Sequence, residues 1–352
     1  PTQDDITREA ISRATGRPLR FSEAYADRLR QWWASRGRDM PESNLKQAQY
    51  PEGAELLENP KGTAPAVLLE DDETLIFALP GVPAELEALM DLYVIPILRK
   101  RSGESVVLSR VIRTYGESES LVAESLADIY EKSGNPSMAF LATAAEIKIR
   151  LTAHAASEQE AEDLIKPFEE AIRGRMGNLV FGIDDQTIES IVLGLAAEKN
   201  WTIATAESAT GGMVASRITS VPGSSRVFRG AIVAYHEDVK RVNLGVGDDL
   251  IREHGVVSEP VAKAMADGVA RLLEADVGIA VTGSAGPGEL EQAAGTMVIA
   301  VHTPEKTMAR TVRLPGDRER VRTYTTTGAL QLARLAMSGV WWSGEPKSGR
   351  WV

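Results

Sequence analysis

Apolar strand-like runs and helical patterns alternate along the chain from residue 186 to residue 338. The runs from Trp201 to Thr205 and from Val277 to Val281 are short, whereas the longer segments carry apolar residues at helical spacing. Such alternation is typical of an α/β layered domain. The predicted elements are helix 186–199, strand 201–205, helix 210–220, strand 229–235, helix 237–244, helix 258–274, strand 276–282, strands 295–303 and 307–314, and helix 317–338.

Two smaller segments precede this domain. The first is predicted to contain a helix over 22–35, strands over 66–69 and 75–79, and a helix over 85–100. The second is predicted to contain a strand over 106–114, a helix over 120–132, a strand over 146–153 and a helix over 157–175. The predicted bounds are 1–103, 104–183 and 184–340, with a loose tail over 341–352.

Composition narrows the possible chemistry. The chain has no cysteine, which excludes disulfides, thiolate catalysis and cysteine-based zinc sites. Its net charge of −11 argues against nucleic acid and anionic membrane surfaces as partners. No run approaches the roughly 18 consecutive apolar residues of a membrane helix. A cytoplasmic protein is therefore the prediction.

A polar turn carrying Ser208 joins a predicted strand to a predicted helix. A serine at this position lies beside free backbone N–H groups, which suit an oxyanion or a phosphate. The pattern equally suits a helix-capping serine, with Gly211 and Gly212 permitting a tight turn. The turn alone leaves both interpretations open.

Further motifs follow the Ser208 turn, and together with it they resemble the C-terminal domain of the CinA family, the nicotinamide mononucleotide deamidases. The resemblance runs from about Thr187 to Gly339. The motifs that carry it are Pro222-Gly-Ser-Ser225, Tyr235-His-Glu-Asp-Val-Lys240, His254-Gly-Val-Val-Ser-Glu-Pro260, Gly283-Ser-Ala-Gly-Pro-Gly288 and Pro315-Gly-Asp-Arg318.

The front segments extend this resemblance. Pro1-Thr-Gln-Asp-Asp-Ile-Thr7 and Leu79-Pro-Gly-Val-Pro-Ala-Glu85 are similar to the family's molybdopterin-binding-like domain. Asn135-Pro-Ser-Met-Ala139 is similar to its small middle domain. The resemblance implies an α/β protein: a partial molybdopterin-binding-like α/β domain that begins inside a motif, a KH-like α+β domain, and an α/β layered C-terminal domain.

The resemblance implies hydrolysis of nicotinamide mononucleotide to nicotinate mononucleotide and ammonia, without a cofactor. We predict Ser208 as the nucleophile and Lys240 as the base, because a buried lysine can replace histidine beside a serine. Tyr235 would orient this pair or relay a proton. Without the resemblance, Lys240 would be interpreted as a solvated helix lysine and Tyr235 as an aromatic residue at the rim of the core.

Other residues are predicted to bind the nucleotide. Backbone amides near Thr210, Gly211 and Gly212 would form the oxyanion hole, and the loop after strand 276–282 would hold the 5′-phosphate or ribose. Arg318 would add positive charge. The full predicted substrate-binding set is Glu207, Thr210, Gly211, Gly212, Ser224, Ser225, Gly283, Ala285, Gly286, Pro287 and Arg318. The resemblance also implies a homodimer with a small-molecule nucleotide as its partner.

Two departures from the family pattern keep a non-catalytic nucleotide-binding hypothesis open. Ala209 stands where the family usually has cysteine, and Glu237 stands where it often has asparagine. A carboxylate at position 237 would favour a protonated Lys240, which is a weaker base.

A third hypothesis is metal-dependent ADP-ribose pyrophosphatase activity. Asp4 and Asp5 would bind Mg²⁺ or Co²⁺ bridged to phosphates. The alternative for both is an acidic cap on the helix that begins near Thr7. We expect little or no pyrophosphatase activity.

Overall fold

A computed structural model describes residues 5–101, 105–143, 146–287 and 292–342. The chain divides into two compact units, Pro1–Ser105 and Val106–Val352. Of the helices in the described ranges, none combines the length and the hydropathy that crossing a bilayer requires.

The first unit contains short helices and two small antiparallel sheets. The sheets pair β1 with β2, and β3 with β4 with β5. The predicted strands near 66–69 and 75–79 are β4 and β5, whereas β1 to β3 have only three residues each and were not predicted. In chain order, the elements are α1 (Thr7–Thr15), β1 (Leu19–Phe21), α2 (Glu23–Ala34), a 3-10 segment (Glu42–Ala48), β2 (Gln49–Pro51), β3 (Glu55–Leu57), β4 (Ala66–Asp71), β5 (Thr74–Ala78), α3 (Pro83–Leu89), a π-helical segment (Met90–Val94) and α4 (Ile95–Arg101).

The second unit begins with an antiparallel sheet in the strand order β7-β8-β6-β9. Its elements are β6 (Val106–Thr114), α5 (Glu119–Ser125), α6 (Ala127–Glu131), β7 (Ser137–Thr143), β8 (Glu146–Ala155), α7 (Glu158–Met176), a 3-10 segment (Gly177–Leu179) and β9 (Val180–Ile183). The sequence did not predict β7 or β9. Local propensity is weak there, because the β7 segment contains two alanines, and the pairing of β7 with β8 defines the strand.

A five-stranded sheet in the order β11-β10-β12-β13-β14 follows. Strands β11, β10 and β12 are mutually parallel, and β13 is antiparallel to both of its neighbours. The elements are α8 (Ile188–Glu198), β10 (Ile203–Glu207), α9 (Met213–Thr219), a 3-10 segment (Ser224–Arg226), β11 (Phe228–Val233), α10 (Glu237–Leu244), α11 (Asp248–His254), α12 (Glu259–Leu272), β12 (Val277–Ser284), β13 (Thr296–His302), β14 (Thr307–Arg313) and α13 (Arg318–Met337). Helix α11 was not predicted.

Helices cover both faces of this sheet, as expected for an α/β layered domain. Side chains from α8, α9 and α13 share one core cluster with Val277, Ile279 and Val281 of β12. Side chains from α10, α11 and α12 share the other with Ala280, from the opposite face of the same strand. We call these the α13 face and the α12 face. Successive residues of one strand therefore point to different helical layers.

Arg334 of α13 forms hydrogen bonds between the layers of the five-stranded sheet and the four-stranded sheet that precedes it. Its guanidinium donates to the backbone oxygens of Asn178 and Val180, over 2.7 and 3.5 Å. Burial lowers the pKa of Arg334 to about 10, so this side chain is still charged at neutral pH. The charged side chain thus binds the backbone just before and at the start of β9.

Candidate active site

One edge of the five-stranded sheet gathers most of the predicted site. Strands β11, β10 and β12 run parallel, so the residues that follow each of them meet at the same edge. Ser208 follows β10, Tyr235 follows β11, and the loop 285–287 follows β12. Helix α13 begins there as well, because β14 is parallel to β12. We call this the carboxyl edge.

Ser208 and Lys240 are in direct contact at this edge. Lys240 Nζ lies 3.1 Å from Ser208 Oγ and donates to the backbone oxygen of Ala234 at 3.0 Å. The two side chains belong to residues that are 8% and 3% exposed, so water is largely excluded from the contact. Helix α10, on the α12 face, carries the lysine to the turn that carries the serine. The structure thus brings together the predicted nucleophile and the predicted base.

Glu207 has a different position from the one predicted. This residue is completely buried, and its carboxylate accepts hydrogen bonds from the backbone N–H groups of Gly212, Val214 and Ala215 at 2.8 to 3.0 Å. A carboxylate at a helix start satisfies otherwise unpaired N–H groups and the helix dipole. Glu207 therefore caps α9 and is inaccessible to a substrate, contrary to the prediction.

The same hydrogen bonds correct the predicted oxyanion hole. The N–H of Gly212 is occupied by Glu207, and the N–H of Gly211 donates to the backbone oxygen of Ser208 at 3.1 Å. Both glycines adopt positive φ, +61° and +97°, which explains why glycine is required in this turn. Their role is to bend the backbone. The Thr210 side chain is fully buried.

Arg322 was missed as a functional residue, although the sequence shows it one helical turn after Arg318. It reaches from α13 to the Ser208 turn, where Nε donates to the Ala209 oxygen at 3.0 Å and Nη2 to the Thr210 oxygen at 2.9 Å. The available signal was the i, i+4 spacing of two arginines at a predicted helix start, which places both on one helix face.

Tyr235 contacts Arg318 at the rim of the carboxyl edge. Arg318 Nη2 donates to the Tyr235 hydroxyl at 3.0 Å, and Arg318 Nη1 donates to the backbone oxygen of Gly286 at 2.7 Å. Tyr235 is 62% exposed, unlike the buried Ser208 and Lys240. The structure thus joins Tyr235, Arg318 and the loop after β12 into one exposed cationic rim.

Four predicted binding residues lie at the end of β12 and in the loop that follows it, and their environments differ. A side chain at Gly283 would overlap the Met297 sulfur, so glycine there permits close packing of β12 against β13. Ala285 is buried in the core of the α13 face. Gly286 and Pro287 are more exposed and lie beside Arg318. Only the latter part of the loop is therefore placed to meet a ligand.

The structure does not bring Ser224 and Ser225 to the carboxyl edge. They precede β11, whereas Ser208 follows β10, and the two strands are parallel. The serines therefore lie at the opposite edge of the sheet, about five residues or roughly 17 Å along the strands from Ser208. In the sequence, the two serines lie between the Ser208 turn and Tyr235. The chain there runs from the end of β10 back to the start of the parallel strand β11, at the opposite edge of the sheet.

The two departures from the family pattern leave the Ser–Lys contact intact. Ala209 is buried in the core cluster of the α13 face, away from the side that carries Lys240. Glu237 forms an ion pair with Arg241, at 3.4 Å. A side chain at position 209 therefore packs in the core.

Ala209→Cys should consequently leave the activity of the site unchanged. Cysteine behaves in a core as a small apolar residue, so we expect kcat within about twofold of the parent and a stability change below about 1.5 kcal/mol. Thiol-modifying reagents should label the folded variant slowly. A rise in kcat of tenfold or more, lost on alkylation, would show instead that the thiol takes part in the chemistry.

In the first unit, Asp5 has the environment of a helix cap. Its carboxylate accepts from the Thr7 N–H at 3.3 Å and lies 3.5 Å from Arg8 Nη1. Asp4 lies outside the described residues. Within the described ranges, no group of three or more His, Asp or Glu side chains is arranged to hold a metal ion. The metal-site prediction thus gains no support from Asp5.

Three family models together match most of the chain. Residues 185–337 match the CinA C-terminal domain, residues 109–182 match the damage-inducible protein CinA KH domain, and residues 1–100 match the probable molybdopterin binding domain. The chain is an α/β protein with these three domains in order, and it belongs to the CinA family.

The chain is similar to several individual proteins. A CinA-like protein of Frankia casuarinae is 44% identical over 97% of this chain and 81% of its own length. A CinA-like protein of Dictyoglomus turgidum is 38% identical over 96% of this chain and 82% of its own length. The crystal structure of competence/damage inducible protein CihA from Agrobacterium tumefaciens is 32% identical, with a TM-score of 0.41 over 43% of this chain and 95% of that chain.

Proposed function

We propose that this CinA-family protein is an amidase that hydrolyses nicotinamide mononucleotide to nicotinate mononucleotide and ammonia. The observation that carries the proposal is the buried contact of 3.1 Å between Lys240 Nζ and Ser208 Oγ at the carboxyl edge of a parallel sheet. Serine is a weak nucleophile at its own pKa and needs an adjacent base. A chain without cysteine that holds a lysine against a serine has the elements of a Ser–Lys hydrolase.

The first half of the reaction forms an acyl-enzyme. Neutral Lys240 accepts the proton of Ser208 as Oγ attacks the carboxamide carbon, and a tetrahedral oxyanion forms. Lys240 then gives that proton to the departing nitrogen. The C–N bond breaks, ammonia leaves, and nicotinate remains joined to Ser208 as an ester. Burial supports this step because desolvation disfavours the charged form of an amine.

The second half reverses these roles with water. Lys240 accepts a proton from water as its oxygen attacks the ester carbon, and then returns the proton to Ser208 Oγ when the C–O bond breaks. The net change is the exchange of the amide nitrogen for one oxygen of water. Across the two halves, one base takes a proton from Ser208 Oγ and later returns a proton to it, a role that suits a lysine in contact with that oxygen.

Two parts of the carboxyl edge would bind the nucleotide. The N–H groups of Ala209 and Thr210 directly follow the nucleophile and are the oxyanion donors that we propose in place of Gly211 and Gly212. Arg318, beside the Gly286 carbonyl and the Tyr235 hydroxyl, supplies the positive charge for a phosphate at the rim. As the family resemblance implies, we propose a cytoplasmic homodimer.

The two other hypotheses have less support. Ala209 packs in the core and Glu237 pairs with Arg241, so neither residue argues for loss of catalysis. Asp5 caps α1, and the described residues offer no metal cluster for a pyrophosphatase.

The test is ammonia release from nicotinamide mononucleotide by the purified chain in the presence of EDTA. We expect stoichiometric ammonia and nicotinate mononucleotide, and no effect of added Mg²⁺ or Co²⁺. ADP-ribose, offered with either metal, is the control substrate for the pyrophosphatase hypothesis. Binding of the mononucleotide without ammonia release would overturn the amidase in favour of a nucleotide-binding protein.

A further inference from the structure

We infer that Arg322 is a positioning residue that aims the oxyanion-binding amides of the Ser208 turn. This inference rests on the proposed function. Arg322 approaches the turn from the α13 face and holds two successive carbonyl groups, those of Ala209 and Thr210. Its charge is directed entirely at backbone oxygens, since within the described ranges no carboxylate forms an ion pair with it.

The geometry of a peptide group connects Arg322 to the reacting side chain. The carbonyl of Ala209 and the N–H of Thr210 belong to one planar trans peptide and point in opposite directions. Arg322 fixes the carbonyl on the α13 face. The N–H of Thr210 must then point toward the other side, where helix α10 brings Lys240 to Ser208.

A second set of hydrogen bonds fixes the end of the same turn that leads into α9. The Glu207 carboxylate binds the N–H groups of Gly212, Val214 and Ala215, so the chain beyond the turn is fixed by an acceptor. Arg322 fixes the turn itself by donating to its carbonyls. Both ends of the turn are therefore fixed before a substrate binds. An oxyanion hole whose donors are already in place lowers the activation barrier without a rearrangement of the protein during the reaction.

The charge of Arg322 adds to the effect of its geometry. A cation at the carbonyl end of a peptide polarises that peptide and makes its N–H a stronger donor, because hydrogen bonds in a chain reinforce one another. The turn contributes donors to a developing negative charge, and Arg322 provides positive charge behind them. Its action should therefore fall on the transition state more than on the bound substrate.

The experiment compares Arg322→Ala and Arg322→Lys with Arg320→Ala, an exposed arginine two residues away on the same helix. We expect kcat to fall about 100-fold in Arg322→Ala, with KM within about threefold, since loss of oxyanion stabilisation acts on kcat. Arg322→Lys keeps the charge without the two-point contact and should be intermediate. Arg320→Ala should match the parent, and free guanidinium ion should partly restore Arg322→Ala.

A substrate-independent readout separates this inference from the proposed function. A fluorophosphonate probe labels an activated serine through an oxyanion-like intermediate, and its rate at Ser208 should fall in parallel with kcat. If the parent chain is labelled at Ser208 but releases no ammonia from the mononucleotide, the proposed substrate is wrong while the variants still test Arg322. Labelling rates within twofold of the parent in both Arg322 variants, or no labelling of the parent, would overturn the inference. If Arg322→Ala does not fold, Arg322→Lys decides.

Discussion

Lys240→Met lowers kcat for ammonia release by about 10⁴-fold or more, as expected for loss of the base in a nucleophile–base pair. Methionine nearly preserves the volume of the buried lysine stem and removes the amine that contacts Ser208 Oγ and the Ala234 oxygen. Folding should persist, because methionine keeps most of the packing of the lysine stem, and the two acceptors that lose their donor cost only about 1 to 3 kcal/mol each. The measurement is steady-state ammonia release, alongside a thermal unfolding curve.

Three further variants distinguish loss of the chemical step from general effects on the fold. Ser208→Ala should be as inactive as Lys240→Met, and the double variant should be no worse than either, because residues that act as one unit are not additive. Lys263→Met, on neighbouring helix α12, removes a lysine with no part in the site and should retain the parent kcat. Losses that multiply in the double variant would mean that Ser208 and Lys240 act independently.

Gly268→Ala should lower the free energy of unfolding by about 3 kcal/mol or more, the upper range for overpacking in a core. Helix α12 passes so close to the end of α10 that a side chain at Gly268 would overlap the Leu244 carbonyl group, with the carbon 2.9 Å away. The obstacle is backbone, which cannot rotate aside. Helix α10 would have to shift, and Lys240 lies one turn before Leu244, so kcat should fall as well.

Gly194→Ala is the matched control for this effect. It is the same chemical change in helix α8, where no atom lies within 4 Å of an added side chain. Alanine favours a helix over glycine by about 1 kcal/mol, so this variant should be more stable than the parent, or equal to it. Chemical denaturation of both variants gives the comparison. Equal destabilisation by the two substitutions would show that close helix packing at Gly268 is not the cause.

Local signals explain which elements could be predicted from the sequence. Helix α10 was predicted with its observed bounds, because a histidine cap, an apolar stripe and a terminal glycine all lie within ten residues. Strands β10, β12, β13 and β14 were predicted within about two residues, a usual error for element ends. Strand β7 was missed because its local strand propensity is weak and its pairing with β8 defines it. Strand β9 was missed because its four residues are too few to show the alternation of a strand.

The same distinction applies to the site. Ser208 and Lys240 were predicted as residue types in recognisable motifs, and the buried contact between them needed a parallel sheet that aligns separate loops. Ser224 and Ser225 were assigned to the site from their motif, and the structure does not bring them to Ser208, because adjacency in sequence does not say at which edge of a sheet a loop lies. Glu207 was assigned to the substrate, although its carboxylate binds backbone amides at the start of the following helix, α9.

By itself, the sequence determined the family and the layered α/β class of the C-terminal domain, and it predicted Ser208 and Lys240 as nucleophile and base, because each of these is encoded in short motifs and in periodicity. Only the tertiary structure decided that Arg322 holds the Ser208 turn, 113 residues away from the Ala209 oxygen that it binds. It also decided that Ala209 faces the core. Contacts of that sequence separation form when layers pack, and no local pattern specifies them.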